Sequence, residues 1–548
     1  MPNRSTIAAI ALLVLFFVHA ASVIPKKSIT IDEPAMIAVG LATLHTGNVS
    51  LGLDTPPLVK VWSALPLIFM DLKIPWNAEG WQEQTHWKFG NDFFAANAPP
   101  SYYRMIFFSR LQMVWIACAF GWFIFKWSRR LFGETPALLA LALFTTEPNI
   151  LAHAILVKTD IAAALTFLLF YYFLTLYLER PSRRAALNIG LALGFALITK
   201  LSSTALIPVC VAAVVMRGIV ADKRIAQSLK DLLMIGIIAW IILQAGYGFE
   251  SLRGANSQTT AAVTHWGILT YFLPPSFLAG NDVVFSVLKQ GWPAFLHGQF
   301  SRHGWWYYYP IAFGIKLPLI TLGIFLFAML IGLWKSVSFF RSNEQVDWLV
   351  LTVAAGMYGA ASVLSNVNAG IRHTFPMFGP LFVLSSYGAW YAFRSKSNFS
   401  RVIPFALIAL QLVSILRVYP DYLAYFNESI GGPSNGWRYL GDSNIDWGQD
   451  LPGLARFVHD HRIDRVRLAY FGGGSAEFYG IPYDKIDVPN VFETMKDTPL
   501  EIAPGWYAIS VSWLQGIFGE NRRDYFQYFR GKTPVTQIGY SIHIYHVP

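Results

Sequence analysis

Long apolar segments recur along this 548-residue chain and constrain its fold more than any other feature. About 20 apolar residues in a helix cross the hydrocarbon core of a bilayer. Because lipid offers the backbone no hydrogen-bond partners, such segments adopt helices when they span a membrane. We therefore predict an α-helical polytopic membrane protein of about 11 transmembrane helices, near residues 6–25, 105–125, 135–151, 161–178, 186–200, 201–216, 232–249, 310–334, 348–365, 374–393 and 402–418.

The composition excludes two other classes of protein. With 54% hydrophobic and only 14% charged residues, the chain is too apolar for a soluble multidomain protein. Its net charge of +10 would favour nucleic-acid binding only if the basic residues gathered on one face. They are scattered in short loops instead, and Cys118 and Cys210 both lie inside apolar segments. We predict membrane lipids, and no nucleic acid, among the partners.

The short basic loops all fall on one side of the predicted membrane. They lie near residues 126–130, 180–184, 217–230, 335–341 and 394–401. Cytoplasmic loops carry an excess of Lys and Arg, so this side is predicted to be cytoplasmic. The sequence therefore predicts a protein of the bacterial inner (plasma) membrane with a cytoplasmic N-terminus and a periplasmic or extracellular C-terminus. The longer loops 26–104 and 250–309 are then exported.

The last part of the chain differs from the rest. After about residue 420, glycine and Asp/Asn turns alternate with β-prone runs at 466–471 and 506–511. We predict two domains, a transmembrane catalytic domain over 1–419 and a small exported α/β domain over 420–548.

Two adjacent carboxylates, Asp32 and Glu33, follow the first apolar segment and precede Pro34. Acids next to hydrocarbon need solvent or a partner, so they are more often functional than acids on a soluble surface. The alternative is that they only cap a helix that begins near Pro34. The residues alone leave both interpretations open.

Several motifs resemble the polyprenyl-phosphate-dependent glycosyltransferases, that is, the protein O-mannosyltransferase and aminoarabinose-transferase-like enzymes with the GT-C fold. These are the Asp-Glu pair after the first transmembrane helix, the turn Gly47-Asn48, and a Pro-Pro-Leu-x-Lys run that ends at Lys60. Bacterial members usually read His-Pro-Pro-Leu, whereas this chain has Thr55 in place of the His. The role of that His is therefore not carried over. A stretch around 442–451 also resembles a segment that follows the last helix in some bacterial members.

The resemblance implies a set of acids on the exported side. Glycosyl transfer from a lipid phosphate needs a base for the acceptor hydroxyl and cations for the leaving phosphate. Asp32 is the candidate base, with Glu33 beside it. Asp160 follows a Glu-Pro-Asn segment and resembles the second acidic position of the family. A purely capping role at the start of a helix is the alternative for Asp160.

Five basic residues are candidate ligands of the donor phosphate. Arg372 resembles the family's basic residue before the tenth-helix proline and is the first choice, because a guanidinium can grip phosphate through two nitrogens. The others are His373, Arg110, Lys200 and Lys60. For Arg110 and Lys200, which lie within or between apolar segments, an ordinary intramembrane ion pair is the alternative.

The resemblance therefore implies an inverting glycosyltransferase that moves a sugar from a polyprenyl-phosphate carrier to a hydroxyl of an exported protein, lipid or glycan. A transporter or flippase for lipid-linked sugars, or an envelope scaffold, is the alternative. Phosphate is a good leaving group, so no metal is strictly required. A divalent cation remains possible if Asp32, Glu33 and Asp160 converge. The sequence specifies neither the sugar nor the acceptor.

Overall fold

The computed structural model describes residues 3–222, 225–253, 257–342, 346–488, 500–519 and 522–548. Helices make up most of it. Their bounds are Arg4–Val23, Glu33–Thr46, Pro57–Ala64, Glu79–Gln82, His86–Ala96, Ser101–Phe132, Glu134–Thr145, Pro148–Ala154, Thr159–Glu179, Arg183–Leu197, Leu206–Arg217, Ile225–Gly246, Glu250–Arg253, Ser257–Ala262, Pro275–Gln290, Tyr308–Lys316, Leu319–Ser342, Val346–Val363, Phe375–Arg394, Asn398–Val418, Leu451–Asp460, Val511–Gln515 and Gln527–Arg530.

All eleven predicted apolar segments fall on helices, and the predicted fold class is confirmed. Within the described ranges, eight helices are long and apolar enough to cross a membrane. A ninth span exists if Glu134–Thr145 and Pro148–Ala154, which meet at a 65° bend, are counted together. The chain is an integral membrane protein.

Two of the eleven predicted spans lie on helices that are too short or not apolar enough to be counted among these membrane-crossing helices. Arg183–Leu197 has only 15 residues. Phe375–Arg394 has 20 residues but includes Pro380, glycines and serines, which lower its hydropathy. This second helix is largely buried and packs against helices on several sides, including Thr159–Glu179 and Val346–Val363. Its polar residues are therefore tolerated, because protein rather than lipid surrounds them.

The loop after the first helix folds into short helices that pack closely on one another. Glu33–Thr46 lies against both Pro57–Ala64 and His86–Ala96. A Cβ atom at Gly40 would lie 2.0 Å from the backbone oxygen of Lys60. Only glycine allows this approach, which brings Lys60 to the helix that starts at Glu33.

Strands are few among the described residues. β1 (Ala294–Leu296) and β2 (Gln299–Ser301) form an antiparallel hairpin. The other strands are β3 (Val466–Ala469), β4 (Tyr483–Lys485), β5 (Gly505–Ser510), β6 (Thr536–Ile538) and β7 (Ile542–Val547). They form one sheet in the order β4-β3-β5-β7-β6, in which β3 is parallel to β4 and β5 and β7 is antiparallel to β5 and β6.

This sheet agrees with the strands predicted near 466 and 506. The segment between the last long helix and the sheet contacts the start of the loop that follows the first helix. Lys27, just after the first helix, forms ion pairs with Asp421 and Asp450. The division into domains 1–419 and 420–548 stays a prediction.

The two ends of the helix bundle carry different charged groups. Thr159–Glu179 has Asp160 in its first turn and Glu179 at its other end. At the Glu179 end, Arg130 forms ion pairs with Glu179 and with Asp347, the latter at 3.1 Å. Two of the candidate site residues, Lys200 and Arg372, lie at the Asp160 end, where they pair with its carboxylate.

Candidate functional site

Glu33 and Arg110 form a completely buried ion pair. Arg110 donates from Nε to Glu33 Oε1 at 3.0 Å and from Nη2 to Oε2 at 2.6 Å. The guanidinium also donates to the backbone oxygens of Lys27 at 3.0 Å and Ser28 at 2.7 Å. The exposed fractions are 1% for Glu33 and 0% for Arg110, so neither side chain is open to a substrate in this arrangement.

The backbone also holds the Glu33 carboxylate. It accepts hydrogen bonds from the N–H groups of Thr30 at 2.8 Å and Val157 at 2.9 Å. Burial alone would raise the pKa of Glu33, but the Arg110 guanidinium and these N–H donors lower it. Glu33 therefore links the turn before its helix to the loop that precedes Thr159–Glu179.

Asp32, the candidate base, points in a different direction. It occupies the N-cap position of Glu33–Thr46, yet its side chain makes no capping hydrogen bond. The carboxylate instead pairs with Lys158 Nζ at 2.6 Å, with both side chains about 15% exposed. The alternative that Asp32 serves only as a cap is therefore disfavoured, since its carboxylate does no capping.

A small open pocket lies beside Asp32. Its charged and titratable lining residues are Asp32, Asp54, Lys60, His86 and Lys158. His86 Nε2 is 3.6 Å from an oxygen of Asp54, and burial lowers the pKa of this imidazole. The pocket thus offers acids and bases within one space that is open to solvent.

Thr55 also lines this pocket, at the position where the family usually has His. Its hydroxyl donates to Asp54 at 3.3 Å. The imidazole of the pocket comes instead from His86, in a separate helix. An imidazole is therefore present near this position although the family motif is changed.

Lys60, a predicted phosphate ligand, lies in the wall of the same pocket with 3% of its surface exposed. Its Nζ donates to the backbone oxygens of Leu51 at 3.2 Å and Gly52 at 2.9 Å. Burial lowers the pKa of Lys60 to about 8, although the Asp54 carboxylate acts in the opposite direction. Lys60 belongs to the pocket of Asp32 and is held by carbonyl oxygens.

Asp160 joins two of the predicted cations. Lys200 Nζ lies 2.7 Å from Oδ1, and Arg372 Nη1 lies 3.4 Å from Oδ2. Asp160 is 1% exposed, so these two cations balance a buried charge. The structure brings Asp160, Lys200 and Arg372 together in an ion-pair network, while the predicted role of the two cations as phosphate ligands stays a prediction.

Arg372 is held on three sides. Besides Asp160, its Nε donates to Ser443 Oγ at 2.9 Å, and its guanidinium carbon lies 4.5 Å from the ring centre of Trp447. Burial would lower the pKa of Arg372, but the carboxylates of Asp160 and Asp32 raise it. Within the described ranges, no group accepts a hydrogen bond from Nη2. The guanidinium therefore keeps donors for an anion.

His373 contributes no charge to this network. Its Nε2 is buried and has no partner among the described residues. Burial and the adjacent Arg372 hold the pKa of His373 well below its ordinary value. A neutral imidazole can donate one hydrogen bond to a phosphate but cannot supply a charge.

The three predicted acids do not converge on one point. Asp32 faces Lys158, Glu33 faces Arg110, and Asp160 faces Lys200 and Arg372. No three His, Cys, Asp or Glu side chains within the described ranges are placed to hold a metal ion. These residues therefore do not fit a metal site, and a requirement for a divalent cation stays untested.

The sequence alone did not place the 442–449 segment at the site. Asp442 is 8% exposed, has a left-handed backbone (φ 55°), and accepts a hydrogen bond from Trp292 Nε1 at 3.4 Å. Burial raises the pKa of Asp442 to about 6, although Arg372 acts in the opposite direction. The resemblance of this stretch to a family segment was the signal that could have placed it at the site.

Part of the chain matches a known family. The model for the family described as dolichyl-phosphate-mannose-protein mannosyltransferase matches residues 105–247. This match includes Arg110, Asp160 and Lys200 of the site. The resemblance to polyprenyl-phosphate-dependent glycosyltransferases is confirmed. The predicted class of enzyme, a glycosyltransferase that uses a lipid-phosphate-linked sugar donor, is confirmed with it. No curated protein matches the chain.

The fold is also similar to those of solved membrane proteins. ArnT from Cupriavidus metallidurans bound to undecaprenyl phosphate is 12% identical with a TM-score of 0.47, over 98% of this chain and 97% of that one. AglB, the oligosaccharyltransferase from Archaeoglobus fulgidus, in complex with an inhibitory peptide and a dolichol-phosphate, is 13% identical with a TM-score of 0.41, over 74% and 54%. At these identities, individual site residues are not transferred.

Proposed function

We propose that this chain is an inverting glycosyltransferase that acts on the outer face of the membrane and transfers a sugar from a polyprenyl-phosphate carrier to an exported hydroxyl acceptor. The observation that carries the proposal is that Asp32, paired with Lys158, and the ion pair of Asp160 with Arg372 lie at the same end of the helix bundle, where Asp32 also raises the pKa of Arg372. These residues come from three distant segments, one of which lies in the region that matches the mannosyltransferase family.

The residues support a single displacement. Asp32 takes the proton from the acceptor hydroxyl as its oxygen forms a bond to the anomeric carbon. The bond from that carbon to the phosphate oxygen breaks, and polyprenyl phosphate leaves with the electron pair. Arg372, with its unused Nη2 donors, stabilises the charge that develops on the phosphate. Attack from the side opposite the leaving group inverts the anomeric centre.

Glu33 and Arg110 position the base in this scheme. Their buried pair fixes the turn that carries Asp32, while Lys158 holds the Asp32 carboxylate at the pocket. Asp160, itself paired with Lys200, in turn holds Arg372 beside the donor. Each reacting side chain is thus supported by a partner of opposite charge.

The charges at the two bundle ends support an exported site. Arg130, Glu179 and Asp347 mark the end opposite Asp160, and the short basic loops belong to that end. The excess of Lys and Arg favours a cytoplasmic position for it. The site would then face the periplasm or the extracellular space, where the lipid-linked donor and an exported acceptor meet.

We expect the purified protein to transfer labelled sugar from a polyprenyl-phosphate donor to an acceptor in a membrane extract. The assay follows label in protein, lipid and glycan fractions and in the free sugar. Movement of the donor across a vesicle membrane without transfer would support a flippase instead. Mass spectrometry of the labelled product identifies the acceptor.

The proposed orientation of the protein in the membrane can be tested by cysteine labelling. In a background without Cys118 and Cys210, a cysteine placed at exposed His459 should react with a membrane-impermeant maleimide in intact cells. A cysteine at exposed Arg183 should react only after the membrane is opened. The native cysteines are replaced first, so that every signal comes from the introduced position. The reverse labelling pattern would contradict an exported C-terminus.

A further inference from the structure

A segment after the last transmembrane helix reaches into the site from far along the chain. It comprises residues 442–449, with the sequence Asp-Ser-Asn-Ile-Asp-Trp-Gly-Gln. Most of it is buried, with exposed fractions of 2% for Ser443, 0% for Asn444 and 2% for Trp447. Buried polar side chains need partners, and those of Ser443 and Asn444 have them in the segment that carries Arg372.

Its first contact is with Arg372. Ser443 Oγ accepts from Arg372 Nε and donates to the backbone oxygen of Ala369. Asn444 accepts from the N–H of Ile371 at 3.0 Å. The face of Trp447 lies against the guanidinium. These contacts fix both the backbone and the plane of Arg372, and a cation over an indole face is itself attracted to it.

Its second contact is with the turn before Asp32. The backbone oxygen of Trp447 accepts from the N–H of Ile31 at 3.0 Å, and that of Gln449 accepts from the N–H of Ser28 at 2.9 Å. The hydroxyl of Ser28 donates to the backbone oxygen of Gly448 at 2.7 Å. The 442–449 segment is therefore bonded both to the turn that carries the base and to the cation.

The backbone of the segment is itself constrained. Asp442 adopts a left-handed conformation, which is uncommon for a residue other than glycine. Such a conformation persists where the surroundings fix it, and it is found often at functional sites. Here it turns the chain so that Ser443 meets Arg372.

We propose that the 442–449 segment is a positioning element of the transfer site, in which Ser443 and Trp447 orient the Arg372 guanidinium toward the donor phosphate. The backbone of the segment also fixes the separation between Arg372 and the turn of Asp32. This inference rests on the proposed function, since it assigns a purpose to Arg372 in that reaction. It makes the region after the last long helix part of the catalytic machinery.

The test is a double-mutant cycle on the full-length protein. Ser443→Ala should lower kcat/KM for the lipid-linked donor about 10-fold, because one hydrogen bond to a charged group is lost. The KM for the acceptor should stay unchanged. In an Arg372→Ala background, the same Ser443→Ala change should cause less than about a 2-fold further loss, since coupled residues are not additive.

Trp447 provides a conservative pair of variants. Trp447→Phe keeps a ring face for the guanidinium and should retain most donor use, whereas Trp447→Leu should lose it by about the same factor as Ser443→Ala. Ser434→Ala, at an exposed serine of the same region, is the matched control. The affinity for a short-chain polyprenyl phosphate without sugar gives a readout independent of turnover.

The outcomes separate the two proposals. An active wild-type enzyme with additive Ser443 and Arg372 effects, or with equal losses for donor and acceptor, would overturn the positioning role and leave the proposed function intact. A wild-type protein that neither binds polyprenyl phosphate nor transfers sugar would overturn the proposed function, and the positioning role with it.

Discussion

Asp32→Asn should leave the protein folded and lower glycosyl transfer roughly 10²- to 10⁴-fold. Asparagine keeps the size of the side chain but cannot take a proton from an acceptor hydroxyl. The carboxylate makes no capping hydrogen bond, so the helix that follows loses none. Its Lys158 partner is partly exposed and can be solvated. Transfer rate and thermal midpoint in detergent are measured on the same preparation.

Glu33→Gln is the matched comparison because it makes the same change one residue away. It leaves Arg110 buried without a counter-charge, and breaking a buried pair in this way destabilises proteins by about 3–5 kcal/mol. We therefore expect a lower thermal midpoint for Glu33→Gln and a catalytic loss without a stability loss for Asp32→Asn. A stable, active Asp32→Asn protein would remove Asp32 from the mechanism.

The contrast between these neighbours shows what the sequence could not settle. Successive residues at the start of a helix point about 100° apart, since a turn holds 3.6 residues. Asp32 faces the pocket and Glu33 faces Arg110. The pair Asp-Glu in the sequence does not indicate which of the two acids faces the pocket and which is buried in an ion pair. The partner of Glu33 lies in another helix, and no local rule connects the two.

The features that were predictable depend on local sequence. Apolar length gives the helices, and the alternation of basic loops groups Asp32, Asp160 and Arg372 on one side of the predicted membrane. The number of spans does not follow from local sequence alone. The polar residues of Phe375–Arg394 are acceptable only because other helices surround it, which the sequence does not show.

Contacts between residues that lie far apart in the sequence could not be predicted. The sequence named Lys200 and Arg372 as phosphate ligands and Asp160 as an acid, but the structure joins them in one network. The contact between Ser443 and Arg372 spans two parts of the chain assigned to different predicted domains. Hydrophobic periodicity carries no information about such contacts.

Because of this network, we expect Arg372 to be replaceable without unfolding the protein. Removal of its side chain leaves Asp160 with Lys200 at 2.7 Å, so the buried carboxylate keeps a counter-charge. Arg438 offers a matched control, since it lies 5.6 Å over the ring of Trp437 but is exposed. Its replacement by alanine should leave donor use unchanged.

Arg372→Ala should therefore weaken use of the donor far more than use of the acceptor. Loss of one charge-assisted contact costs on the order of 1.5–3 kcal/mol, or roughly a 10- to 100-fold fall in kcat/KM for the donor. Arg372→Lys should recover only part of this loss, because an ammonium keeps the charge but lacks the two-pronged guanidinium. Steady-state kinetics with donor and acceptor varied separately measure both values. Unchanged donor affinity and turnover in Arg372→Ala would return Arg372 to a purely structural ion pair with Asp160.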